Sequence, residues 1–158
     1  MKKTFITLLL ITTPFWASSC CTNQSAWVHN AGQTTKVPDN MVMPESLLID
    51  NIRTTDYTAV VHITKGKIID RGVLRNYERH LYEAEVVETI KGEKHANITF
   101  SVMAESGIAL NLPTYPIIVS LCSGHGRYYV PDNGYVSGAP KALIEAARKE
   151  MLDPHTAK

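Results

Sequence analysis

Between residues 81 and 90 the chain reads LYEAEVVETI, which puts Tyr82, Ala84, Val86 and Ile90 on one side of an extended backbone and Glu83, Glu85 and Thr89 on the other. A period of two with one apolar side predicts a half-buried antiparallel strand. ANITFSV (96–102) repeats the pattern with Ile98, Phe100 and Val102 on one face, and Lys91-Gly92-Glu93-Lys94 between the two runs supplies a turn. YTAVVHI (57–63) is rich in β-branched residues and reads as a strand that continues through a turn or bulge at Lys65-Gly66 into KIID (67–70). YPIIVSLC (115–122) is apolar without alternation, the pattern of a central strand covered on both faces, and RYYV (127–130) follows it. Gly124, Gly126, Asn133, Gly134 and Gly138 mark turns.

The period changes in the last twenty residues. APKALIEAARKEML (139–152) spaces Leu143, Ala147 and Met151 by four, with Ile144 beside them and Lys141, Glu145, Arg148 and Lys149 opposite. Pro140 suits a first helical turn and Pro154 stops the helix, so an amphipathic helix packs on the sheet by a narrow stripe. Several short strands and one terminal helix predict a mainly β domain over 45–153, a small OB-like Greek-key barrel with a C-terminal amphipathic helix, followed by a tail at 154–158.

The first 44 residues read differently. Lys2 and Lys3 precede an uncharged apolar run from Phe5 to Trp16, and Ala17, Ser18 and Ser19 lead to a pair of cysteines, Cys20 and Cys21. These are the parts of a secretory signal, residues 1–19. The run is shorter than the ~20 residues a membrane-crossing helix needs, and Pro14 breaks it. Small residues ending at a cysteine resemble the bacterial lipobox, in which the cysteine takes a diacylglyceryl group and becomes the new N-terminus. Cys20 would be the lipidated residue, although Ala17 stands where Leu is usual. The other reading of the same bond is ordinary signal-peptidase cleavage. In lipoproteins an Asp after the modified cysteine retains the protein at the inner membrane; Cys21 is not Asp, which implies the outer membrane. Residues 20–44 are polar and irregular and read as a tether.

Charge narrows the partners. Sixteen basic residues stand against 15 acidic ones, and loss of Lys2 and Lys3 with the signal tips the balance to slightly acidic; with no basic cluster, nucleic acid is excluded as a partner. Six scattered histidines form no zinc-site spacing, so neither a metal nor another cofactor is expected. Enzyme chemistry has one candidate constellation, Cys122 with His125 in SLCSGHG, read as a thiol-dependent hydrolase or redox centre. No acidic residue is in place to orient His125, and a strand-end cysteine before a Gly-rich hairpin is the plainer reading. The glutamates of 83–88 are explained by solvated strand charge.

TDYTAVVHITKG, then VVETIKG, ITFSV, IVSLC and a short aromatic strand together resemble the netrin-like and tissue-inhibitor-of-metalloproteinase-like OB-fold proteins, which include bacterial lipoproteins. The resemblance spans roughly residues 57–135 and implies the barrel fold and a binding role. It does not carry the animal inhibitors' mechanism: that needs a free N-terminal cysteine amine, which a lipidated Cys20 lacks, and several disulfides, where this domain has Cys122 alone. If lipid consumes Cys20, Cys21 and Cys122 can pair in an oxidising envelope, closing a loop of ~100 residues worth ~4–5 kcal/mol in the chain-entropy argument. Otherwise Cys122 is a buried free thiol. The expected function is a membrane-anchored, non-catalytic binding module for a protein or glycan of the envelope, with an inhibitor or immunity role against a secreted toxin or hydrolase as its concrete form. Its expected surface is Tyr77, Arg79, His80, Tyr82, Arg127, Tyr128 and Tyr129, since exposed Tyr and Arg are what interface hot spots use.

Overall fold

The structure is a computed structural model that describes residues 37–70, 76–132 and 134–153. Two helices, α1 (Glu45–Thr54) and α2 (Lys141–Leu152), flank six strands: β1 (Tyr57–Asp70), β2 (Tyr77–Lys91), β3 (Asn97–Glu105), β4 (Ile117–Gly124), β5 (Arg127–Tyr129) and β6 (Val136–Gly138). The strand order is β1-β2-β3-β5-β4, and β4 returns to pair with β1, so five strands close into an OB-like barrel. The β3–β5 pairing is parallel and the others are antiparallel; β6 adds to β4 outside the closed ring. The mainly β barrel with a C-terminal helix agrees with the sequence pattern.

Closure depends on β1. Its first five residues, Tyr57 to Val61, pair with β4 on one edge, while its whole length pairs with β2 on the other. Register shifts at Thr58/Ala59, Val60/Val61, Ile63/Lys65 and Ile68/Asp70 coil the strand enough to serve both neighbours. The Lys65-Gly66 position is thus a bulge within one 14-residue strand rather than a turn between two.

Alternation along each strand sorts the side chains. Tyr57, Ala59 and Val61, with Tyr82, Ala84, Ile98, Phe100, Ile117, Val119 and Leu121, fill the barrel. The continuous apolar run of β4 arises because its other face is covered too: Val60 and Ile118 meet Leu48 and Ile52 of α1 and Leu143 and Ala147 of α2 in a second core. Between the two cores the Thr58 and Ser120 hydroxyls, both buried, bond each other at 3.2 Å, which offsets the cost of their desolvation.

Three expectations are corrected. The mainly β domain expected over 45–153 opens with an unanticipated helix, α1 at 45–54, whose Leu48, Asn51 and Ile52 face the second core at helical spacing; the pattern is too short to stand out in the sequence. The packed domain also begins before Glu45. Met43 is buried, its backbone N–H donates to Ser137 Oγ at 3.0 Å, and Val37 packs against the barrel core. In α2 the buried stripe ends at Ala147, and Met151 is exposed. The signal (1–19), Cys20, Cys21 and the tail (154–158) lie outside the described residues.

The helices are locked to the barrel by polar contacts. Lys91 Nζ donates to the carbonyls of Ile52, at 2.6 Å, and Thr55, satisfying the orphan end of α1. Burial holds this ammonium below the usual lysine range, opposed by the nearby Asp56 charge. Gly92 follows at φ 95°, where a Cβ would come within 2.7 Å of the Tyr57 ring. The Lys-Gly pair of the sequence motif is therefore a structural corner. Arg53 bonds Glu150 at 2.8 Å across the two helices, and Arg148 bonds Glu88 of β2 at 2.6 Å. Glu88 is thus an ion-pair partner rather than a freely solvated charge.

Gly92→Ala is expected to lower stability by about 1–3 kcal/mol, from the positive φ and the contact with Tyr57, measured as a lower urea midpoint at unchanged m-value. The hydrogen bond from Arg148 holds the Glu88 carboxyl below its usual value of 4.5. A folded pKa below the unfolded one gives stability that is complete above the unfolded value and lost as pH falls through the folded one. The melting-temperature gap between the native chain and Glu88→Gln is therefore expected to be full near neutral pH and to narrow as pH falls below the usual carboxylate value of 4.5.

Candidate functional site

Strand parity divides the seven expected surface residues. Tyr77 and Arg79 occupy outward positions of β2, whose burial alternates residue by residue. His80 and Tyr82 hold the inward positions, 2% and 7% exposed, and are corrected from surface to barrel interior. One residue separates Arg79 from His80, and in a pleated strand that is the difference between the two faces. Tyr128 is half-buried against the barrel core, its ring 4.9 Å from that of Tyr57 and beside His95. Tyr129 lies over Gly124, where a Cβ would stand 3.1 Å from its ring. Arg127 is exposed at the start of β5.

Arg79, Arg127 and Tyr128 share one groove of about 500 Å³ on the outer face of β1, β2, β3 and β5. Lys67 joins the two arginines, Ile69 and Leu81 provide an apolar strip, and Thr99 and Ser101 present hydroxyls. No carboxylate is among the lining residues; Asp70 is the register partner of Arg79, and Glu83, farther along β2, pairs with Lys65 at 3.5 Å. Cations beside an apolar strip with nearby hydroxyls suit an anionic group carried on a partly apolar body. Sequence reading missed Lys67, Ile69, Leu81, Thr99 and Ser101. Stepping by two from Arg79 reaches Leu81, but the rest required the register of three strands.

The Cys122 constellation is occupied by structural bonds. Cys122 is fully buried and disulfide-bonded. The chain's other cysteines are Cys20 and Cys21. Ser120 bonds Thr58, and Ser123 donates through its backbone N–H (2.7 Å) and its hydroxyl (2.9 Å) to Asp56 Oδ2, tying the end of β4 to the start of β1. His125 is exposed in the β4–β5 turn at φ 51°. A disulfide sulfur offers no thiolate to attack a substrate.

A second cluster lies inside the barrel. Glu78, His80 and Tyr82 project inward at successive positions of β2. His80 Nε2 lies 3.0 Å from Glu78 Oε1, His80 Nδ1 lies 3.5 Å from the Tyr82 hydroxyl, and that hydroxyl also meets the backbone of Asn111. Burial pushes the Tyr82 hydroxyl above its usual range, which keeps it protonated and able to donate. His80 and Tyr82 line a half-open cavity of about 50 Å³ together with Asn111 and mainly apolar groups, among them Ile63, Phe100, Val102 and Ala104. Sequence reading placed two of these residues on the surface and did not single out Glu78; its signal was the E-x-H-x-Y spacing on a single strand face.

Among the described residues no three His, Cys, Asp or Glu side chains gather to hold a metal ion, and no helix is long and apolar enough to cross a membrane. No protein-family model matches the chain, and no curated protein matches its sequence.

Proposed function

We propose that this chain is a lipid-anchored protein of the cell envelope whose barrel is a non-catalytic binding module for an anionic partner. The observation that carries the binding role is the outer groove, where Lys67, Arg79 and Arg127 surround an apolar strip on four strands. Arg79 is half-buried while Lys67 and Arg127 are exposed, and a ligand carboxylate or phosphate that forks onto an arginine gains charge-assisted hydrogen bonds. An inhibitor or immunity role fits best when the acidic partner is a secreted toxin or hydrolase, because the groove offers recognition groups. The thiol-enzyme alternative at Cys122 and His125 finds no support in a buried, bonded sulfur.

Anchoring rests on the lipobox-like residues Ala17, Ser18, Ser19 and Cys20, and the outer membrane on the absence of Asp at position 21. With Cys20 carrying lipid, Cys21 is the partner of Cys122 in this reading. The netrin-like relationship is part of the same proposal, and the OB-like barrel supports it.

The intact mass of the protein taken from membranes is expected to show cleavage before Cys20, a diacylglyceryl addition, and a peptide linking Cys21 to Cys122 that appears only without reductant. An unmodified Cys20, or a Cys20–Cys122 link, would remove the anchor. For the groove, Arg79→Gln with Arg127→Gln is expected to weaken retention on an immobilised poly-glutamate matrix by about tenfold or more, as loss of charge-assisted hydrogen bonds predicts, while the melting temperature stays close to that of the native chain. Equal retention of the variant would reject the groove as the site.

A further inference from the structure

Four arginines stand among the described residues, and they divide by their partners. Arg53 forks onto Glu150, Nε to one carboxylate oxygen at 2.8 Å and Nη2 to the other at 3.3 Å, and Arg148 forks in the same way onto Glu88. Arg79 and Arg127 are the two that line the outer groove, and among the described side chains no carboxylate forks onto either. A guanidinium presents parallel N–H groups that match the two oxygens of a carboxylate. The groove therefore holds two copies of a recognition group whose usual counterpart the described residues do not supply.

Register sets how far apart the two stand. Lys67, Leu81, Ser101 and Tyr129 form one row across β1, β2, β3 and β5. Arg79 lies one same-face step from Leu81 along β2, opposite Met103. Arg127 lies on the other side of that row: it precedes Tyr128, the partner of Phe100, and so stands beside Thr99. Two same-face steps along the strands and two strands across put the Cα atoms of Arg79 and Arg127 about 16 Å apart. At physiological ionic strength charges are screened over about 8 Å, so two anionic groups of one ligand are read separately. Between the arginines Leu81 offers an apolar contact, and Thr99 and Ser101 offer hydroxyls.

A compact anion fills one end of this groove only. An extended peptide reaches both, because its same-face side chains recur about every 6.6 Å: residues four apart lie about 13 Å apart, within reach of the two guanidinium groups, and the residue midway falls on Leu81. The hydroxyls of Thr99 and Ser101 can serve its backbone. We infer that the groove recognises an extended acidic segment of a partner protein, with carboxylates on residues four apart and an apolar residue midway, Arg79 taking one carboxylate and Arg127 the other. The inference rests on the anion-binding reading of the groove and adds the spacing of the charges and the kind of chain that carries them.

The test titrates the folded domain, by backbone amide shifts at about 0.15 M salt, with two peptides capped at both ends, ESLSE and SELES. Composition and charge are equal; only the first places both carboxylates and the leucine on one side of an extended chain at the spacing of the arginines. ESLSE is expected to bind about fivefold or more tighter than SELES, the worth of one added charge pair at a solvated site. Arg79→Gln or Arg127→Gln alone should bring ESLSE down to the level of SELES, with the melting temperature close to native. Asp70→Asn, which removes the carboxylate in register with Arg79, should keep or enlarge the preference. Equal binding of the two peptides that both arginine substitutions still weaken would overturn the inference and leave the groove as an anion site. Binding that neither substitution changes would overturn the groove reading and the inference together. Tighter binding of trigalacturonate than of ESLSE would assign the groove to an acidic glycan and overturn the peptide, and so would the absence of saturable binding by ESLSE.

Discussion

The pairing of Tyr57–Val61 with Ile117–Leu121 is the constraint on which the molecule depends. It turns five strands into a closed ring, and a closed ring has an inside and an outside. Without it β1 and β4 would each expose a row of backbone donors and acceptors, and the apolar run of β4 would have one face in water. With it, alternate residues of β4 go to the barrel core and to the core beneath α1 and α2. The bulges of β1 make the pairing possible, since an unbroken strand of this length could not curve from β2 round to β4.

Several polar contacts protect that junction. Asp56 accepts from Ser123 at the end of β4, Thr58 and Ser120 bond across the seam, and Lys91 reaches the last carbonyls of α1 just ahead of β1. Gly92 gives the backbone room to pass the Tyr57 ring. Residues that a sequence reader associates with catalysis, such as Ser120, Cys122 and Ser123, hold the seam closed. The exposed cations and their apolar strip lie elsewhere, on the outer groove.

The two faces of β2 carry different chemistry because burial alternates along the strand. Arg79 and Leu81 of β2 face the groove, and Glu78, His80 and Tyr82 face the interior. The first set borders solvent along the groove. The second is enclosed, where each polar atom has to be paired within the protein.

From sequence alone, the period of two in 81–90 and 96–102, the unbroken apolar run at 115–122 and the period near four in 139–152 determined a β barrel with a terminal helix, because burial on one face, on both faces or on a stripe leaves a distinct spacing of apolar residues. The basic and aromatic residues of β2 and β5 were legible as recognition chemistry. Their faces were not, since alternation has no sign until one side of the strand is shown to be the core. Only the tertiary structure decided that His80 and Tyr82 point inward, that Lys67, Thr99 and Ser101 join Arg79 and Arg127, and that α1 covers β4. Each of these rests on contacts between residues distant in the chain, and the register that brings them together is set when the ring closes.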